Sequence, residues 1–183
     1  NLGDMPAAIE NYRKAVALGE RLMSAEPENS GYQIDLAAWT TNLSMLESTT
    51  GNNQKAIADG QKAIEVFERV TAAEPNNLPH KLSMLQSYNV IRYPLTDEMR
   101  FEEGIGYVRR TIKMLEEMAL TDPKNTFIRR SLGVSYNSLG RMQTDSGNPT
   151  AALENHQKAL KIAESLLQID STNGEHRGDL ALT

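Results

Sequence analysis

Apolar residues recur every three or four positions along "NPTAALENHQKALKIAESLLQID", residues 148–170. The members of this pattern are Ala152, Leu153, Ala159, Leu160, Ala163, Leu166 and Leu167. This spacing places them on one face of an amphipathic α-helix. Gly147 and Asn148 offer a turn and an N-cap before it, and Pro149 suits a first helical turn. The segment is therefore predicted to be a helix that buries its apolar face.

Proline marks where such helices stop. The loops "SAEPEN", "AAEPNN" and "LTDPKN" place Pro27, Pro75 and Pro123 at intervals of 48 positions. Proline lacks an amide hydrogen and disfavours helical geometry in the residue before it, so each loop should end one helix. The asparagine two positions later is a good N-cap for the next helix. Each loop thus predicts a helix end followed by a helix start.

The 48-residue period extends beyond the loops and predicts two helices in each repeat. Small residues recur in phase, as do the aliphatic residues that follow them and the asparagines that close each repeat. The small positions are Ala8, Ala56, Gly104 and Ala152; the aliphatic positions are Ile9, Ile57, Ile105 and Leu153; the closing positions are Asn29, Asn77, Asn125 and Asn173. Small residues let neighbouring helices approach closely, so we expect these positions to lie at helix crossings.

The segment "YNSLGRMQTDSGNPTAALENHQKAL" resembles the tetratricopeptide repeat (TPR). Tyr136, Leu139 and Gly140 stand at the Trp-x-x-Leu-Gly positions of that family, and Gly147 stands at its turn glycine. Ala152 and Ala159 match its two small packing residues. The resemblance implies an all-α fold, a right-handed TPR superhelical solenoid of antiparallel helix pairs. The family repeat has about 34 residues, so each helix here should be about two turns longer.

The period predicts one solenoid over residues 1–183. It begins with a half repeat (1–30), continues through three full repeats (31–78, 79–126 and 127–174), and ends in the start of a further repeat (175–183). Because the chain opens without a methionine and closes within an apolar run, we expect it to be a segment of a longer protein. In the middle repeat, Pro94 predicts that one helix ends near Tyr93 and the next begins at Thr96 or Asp97.

Composition and charge restrict the classes of partner that the chain is expected to bind. The 183 residues carry 19 basic and 24 acidic side chains, so a net charge of −5 gives no attraction to nucleic acid or anionic membranes. No apolar run approaches the roughly 20 residues needed to span a bilayer, and we expect no membrane insertion by this segment. The absence of cysteine excludes disulfides and thiolate metal sites. The compartment stays open between the cytoplasm and the cell envelope.

Candidate chemistry is sparse. His80, His156 and His176 have no other histidine at ligand spacing, and the first and last are two repeat lengths apart. Ser135 lies in a predicted helix, outside any nucleophile elbow. The tripeptide at residues 177–179, "RGD", falls where a helix should start, so its likeness to an adhesion motif is interpreted as chance. The sequence predicts no catalytic residues, no metal and no cofactor.

The resemblance points instead to a binding groove, because the first helix of each TPR pair lines a concave surface that holds a peptide or a partner helix. The matching positions give the candidates Thr41, Met45, Gln86, Asn89, Tyr93, Arg130, Asn137 and Arg141. Asparagine amides can bond a peptide backbone, and arginines suit acidic groups. A simpler interpretation is that these polar residues only solvate the inner surface.

The predicted function is a protein- or peptide-binding scaffold. The long, alanine-rich repeats with "KAL" and "DLA" also resemble TPR arrays attached to bacterial receptor-type serine/threonine kinases, which implies a signalling module beside a catalytic domain absent from this chain. The alternative is a structural module that forms a homo-oligomer through its end helices and holds no ligand.

Overall fold

A computed structural model of the chain describes residues 5–170 and 172–181. Every regular element in these ranges is an α-helix. In chain order they are α1 (Met5–Ala25), α2 (Ser30–Thr49), α3 (Asn53–Ala73), α4 (Leu78–Asp97), α5 (Phe101–Thr121), α6 (Thr126–Asp145), α7 (Pro149–Ile169) and α8 (Gly174–Ala181). The two-helix repeat predicted from the 48-residue period is confirmed.

The predicted N-caps are confirmed at three helices. The Oδ1 atom of Asn29 accepts from the amide of Tyr32 at 3.2 Å, at the start of α2. Asn77 caps α4 and Asn125 caps α6 in the same way, at 3.2 and 3.1 Å. Each cap satisfies an amide that has no partner within its own helix, which is why the recurring asparagine starts each of these helices.

A left-handed residue closes the turn between the helices of each pair. Gly51 has φ of +80° and Gly147 has φ of +84°, and Met99 takes the same place with φ of +55°. Glycine adopts this conformation without steric cost, whereas a residue with a Cβ does not. The missing turn glycine of the middle repeat is therefore replaced by a strained methionine.

The predicted break at Pro94 was wrong. Helix α4 runs through Pro94 to Asp97, and the next helix begins only at Phe101. Pro94 stands in the last turn, where its carbonyl still accepts from the amide of Glu98 at 3.1 Å. The missing proline amide costs one hydrogen bond, while the ring and the neighbouring Leu95 are fully buried. This packing offsets the local penalty.

The described helices fall into two compact units that divide between Met99 and Arg100. The first unit contains α1 to α4, in which α2 packs against both α3 and α4. Its most deeply buried side chains include Ile57, Phe67, Ile91 and Leu95. The second unit contains α5 to α8, and its core joins Ile105, Val108, Ile112, Tyr136, Leu139, Met142 and Ala159. The single solenoid over residues 1–183 stays a prediction.

Candidate functional site

An open cleft of about 350 Å³ lies between α2 and α4 of the first unit. Its lining consists of Met45, Ser48, Thr49, Val90, Tyr93 and Asp97. Met45 and Tyr93 are in phase, 48 residues apart, and both were predicted to line the groove. Both side chains are accessible to solvent, since 45% of Met45 and 55% of Tyr93 is exposed. The fold thus brings two predicted residues into one concavity.

Tyr93 is oriented by its neighbour. The Nη2 atom of Arg92 donates to the Tyr93 hydroxyl at 2.7 Å, and the guanidinium carbon lies 3.9 Å from the ring centroid. A cation beside an aromatic face is attracted by the ring quadrupole. Arg92 stands where the TPR pattern has glycine, so a departure from the family here fixes an aromatic wall of the cleft.

Gln86 and Asn89 are exposed on α4, two turns and one turn before Tyr93. Their amides can donate to and accept from a peptide backbone. Leu82 lies one turn further back and is 37% exposed. The exposed face of α4 therefore presents two amides between two apolar side chains.

The assignment of Thr41 to the groove is corrected by its burial. Only 3% of Thr41 is exposed, and its hydroxyl lies 2.7 Å from the Ser87 Oγ atom on α4. It also donates to the Ala37 carbonyl at 2.9 Å. Thr41 joins α2 to α4 beneath the cleft and cannot touch a ligand from this position.

In the second unit, Arg130 is engaged by α8. Its Nε atom lies 2.6 Å from an Asp179 carboxylate oxygen, Nη2 donates to the other oxygen at 3.1 Å, and Nη1 lies 3.4 Å from Glu175. This forked pair is the strong form of arginine–carboxylate contact. It gives Asp179 of the "RGD" tripeptide a structural partner, and it places two acids of this chain where an acidic ligand was predicted.

Asn137 is likewise engaged, whereas Arg141 is exposed. The Nδ1 atom of His156 lies 2.8 Å from Oδ1 of Asn137, and the imidazole therefore donates to the amide. The same ring covers Gly140, where an added Cβ would approach Nε2 to 2.7 Å. His156 packs α7 against α6, as a structural histidine does. The in-phase Asn89 is exposed on the first unit.

Two recurring polar pairs were missed from the sequence. The Tyr88 hydroxyl on α4 donates to Oε1 of Glu68 on α3 at 2.7 Å, and Tyr136 on α6 donates in the same way to Glu116 on α5. Burial first, and then the hydrogen bond and charge of Glu116, raise the pKa of Tyr136 to about 12. A signal was present, because glutamate recurs at positions 20, 68, 116 and 164.

The second missed pair also repeats. In the second unit, Nδ2 of Asn155 donates to Oε1 of Gln143 at 2.8 Å, and both side chains are buried. The equivalent positions two repeats earlier, 96 residues back, hold Asp59 and Glu47. Glu47 is fully buried, and its Oε1 atom lies 3.1 Å from Arg13 and 2.7 Å from Lys55. An amide pair in one unit thus corresponds to an acid pair in the other.

Within residues 5–170 and 172–181, no three His, Asp or Glu side chains are grouped as metal ligands would be. No helix in these ranges is both long and apolar enough to cross a membrane.

The described residues form successive α-helices joined by short loops, which is the architecture of a helical repeat protein. A family model described as tetratricopeptide repeat matches residues 36–73 and 132–173, which cover most of the α2–α3 and α6–α7 pairs. The resemblance to the tetratricopeptide repeat is therefore confirmed over these two segments, and the predicted all-α solenoid class is confirmed.

Among solved structures, the chain is similar to BtubC (BKLC) from P. vanneervenii, with 17% identity and a TM-score of 0.60 over 86% of this chain. It spans 58% of the length of that protein. A thermophilic TPR protein from Thermus thermophilus, TTC0263, matches at 18% identity with a TM-score of 0.42, over 98% of this chain and 94% of the other. No curated protein matches. Repeats of this family are non-catalytic scaffolds that mediate protein–protein interaction.

Proposed function

We propose that the first unit binds a peptide segment of a protein partner in the cleft between α2 and α4. The observation that carries the proposal is the concavity lined by Met45, Val90 and Tyr93, in which Met45 and Tyr93 are exposed and Val90 is buried. Gln86 and Asn89 present exposed amides on the same helix as Tyr93. Apolar anchors supply binding energy, while amides fix the path of a peptide backbone. Asp97 at the rim favours a partner with a basic residue near this end.

In the second unit, Arg141 is the predicted groove residue that suits an acidic side chain. Arg130 is committed to Asp179, and an incoming acid would have to displace α8 to reach it. The proposal therefore rests on the first unit.

A displayed library of random peptides, selected on the immobilised chain, tests the cleft. Peptides recovered from wild type should lose at least about tenfold in affinity, about 1.4 kcal/mol, toward Met45→Ala combined with Tyr93→Ala. The matched control is Leu120→Ala, which removes an even more exposed apolar side chain away from the cleft. Failure to recover any peptide, or equal loss in the control, would contradict the proposal.

We propose further that the chain serves as a scaffold or sensory module in a larger bacterial signalling protein, on the resemblance to kinase-attached arrays. The competing function is self-association without a groove ligand, which the exposed apolar residues Leu153 and Ile169 on α7 favour. Light scattering over a concentration series separates the two: a mass that stays monomeric excludes self-association, and a mass that doubles while no peptide is recovered supports it.

A further inference from the structure

Glu47 is a carboxylate removed from solvent at the packed face of α2. Its side chain has 0% exposure, and its Oε1 atom has two cationic partners among the described residues, Arg13 from α1 and Lys55 from α3. The second oxygen, Oε2, is buried and accepts no hydrogen bond from an amide, hydroxyl or cationic group of the described residues. A buried acceptor without a donor costs about 1–3 kcal/mol, so a donor for Oε2 has to be sought nearby.

The neighbouring side chain is another acid. Asp59 on α3 is mostly buried, with 14% of its side chain exposed, and its nearest cation is the exposed Lys62 at 3.7 Å. Its equivalent in the second unit is Asn155, whose Nδ2–H group donates to Gln143, the equivalent of Glu47. The geometry of this pair places a donor at position 155 and an acceptor at position 143. An aspartate can supply such a donor at position 59 only when it carries a proton.

We propose that Asp59 binds a proton and donates it in a hydrogen bond to Oε2 of Glu47, which makes the α2–α3 pair a pH-sensitive element. The proton comes from solvent, stays covalently on Asp59, and leaves two carboxylates facing each other when it is lost. The charged groups around the pair are Arg13 from α1 and Lys55 and Lys62 from α3, and the two nearest of them contact Oε1 of Glu47.

The electrostatics agree with this geometry. Burial raises the pKa of Asp59 above its ordinary value, and the charge and hydrogen bond of Glu47 raise it further, against smaller opposing effects of Lys62 and Lys55. Because the folded pKa lies above the unfolded one, the stabilisation is fully present below the unfolded pKa and is lost as the pH rises through the folded pKa. The first unit should therefore be more stable in mild acid, where Asp59 carries the proton, than at alkaline pH, where Asp59 and Glu47 are both charged.

The substitution Asp59→Asn tests the proposal, because the asparagine amide is a permanent donor of nearly the same shape. We expect the melting temperature of the full chain to rise by about 2–4 °C at about pH 8, and the gap to wild type to close toward about pH 4. The converse variant, Asn155→Asp, replaces the donor in the second unit and should create a similar pH-dependent gap there. A gap that does not change with pH would overturn the proposal.

A direct readout does not depend on melting. Carbon-detected NMR of the side-chain carboxyl of Asp59 in the wild-type chain should give a titration midpoint above the ordinary aspartate value of about 3.9. In Glu47→Gln that midpoint should fall, provided the variant folds. A wild-type midpoint at or below the ordinary value would refute the shared proton, whatever the melting curves show.

Discussion

At the scale of single residues, the turn between α4 and α5 shows how a departure from the repeat is tolerated. Met99 occupies a left-handed conformation that glycine holds at the two equivalent turns. Its side chain is 75% exposed, so packing gives little in return for the strain. A non-glycine residue in this region costs about 1–2 kcal/mol. The sequence difference at position 99 is therefore a local stability deficit.

Replacing Met99 with glycine should raise the free energy of unfolding by about 0.5–1 kcal/mol, because the relieved strain exceeds the added flexibility of the unfolded chain. Chemical denaturation followed by circular dichroism measures the change. Gly51→Ala is the matched control: no atom lies within 4 Å of the added Cβ, so its expected loss of about 1 kcal/mol isolates backbone strain. A destabilised Met99→Gly would show that the methionine side chain contributes to packing.

Tyr136 gives a second prediction at this scale. The folded state holds the phenol proton up to a pKa of about 12, against an ordinary value of 10.0. Its stabilisation is therefore fully present below about pH 10 and lost between about pH 10 and about pH 12. Tyr136→Phe should cost about 0.5–1.5 kcal/mol at neutral pH, because it removes the hydrogen bond to Glu116, whose exposed carboxylate is then solvated by water. It should also remove this part of the alkaline loss.

Urea unfolding at several alkaline pH values checks the Tyr136 prediction. Tyr93→Phe is the control, since that ring is exposed and lies on the cleft instead of the interface between α5 and α6. If Tyr136→Phe keeps the full alkaline loss, the hydrogen bond to Glu116 does not couple to stability.

At the scale of elements, the same repeat position is buried in one helix and open in another. Ile57 on α3 and Leu153 on α7 are in phase, yet 2% of the first and 59% of the second is exposed. Repeat phase alone therefore does not determine how deeply a side chain is buried.

This difference predicts unequal costs for equivalent truncations. Ile57→Ala should lower the free energy of unfolding by about 2–5 kcal/mol, because it removes buried methyl groups and leaves a cavity. Leu153→Ala should change it by no more than about 0.5 kcal/mol, as exposed substitutions do. Denaturation of both variants under one set of conditions provides the measurement. A large loss from Leu153→Ala would mean that this face is covered in solution.

At the scale of the whole molecule, the family likeness is uneven. The two segments that match the TPR model fall on α2–α3 and α6–α7, and the segment between them contains the departures Arg92, Pro94 and Met99. The division between the compact units falls directly after Met99. Weak repeat character and the unit boundary therefore coincide, which fits a repeat array in which each interface contributes its own share of stability.

Much of the architecture could be predicted because its signals are local. The helices and their starts follow from periodic apolar residues, from proline and from the asparagine caps, all of which act within a few residues. The mistaken break at Pro94 marks the limit of such signals, since burial of Pro94 and Leu95 outweighs one lost hydrogen bond only once α4 is packed. Glutamate also recurs in phase at Glu68 and Glu116, but only the structure shows that each of them accepts a hydrogen bond from a tyrosine hydroxyl.

The sequence by itself determined the helical repeat, the length of the repeat, the residues that cap the helices and the small residues that let helices cross closely. These features depend on neighbours in the chain. Tertiary structure alone decided which groove candidates are accessible: Thr41 is buried under the cleft, Arg130 is paired with Asp179, and Met45 and Tyr93 open onto one concavity. It also decided that Glu47 and Asp59 meet. Those outcomes depend on contacts between helices far apart in sequence, where partners rather than propensity set the environment of a side chain.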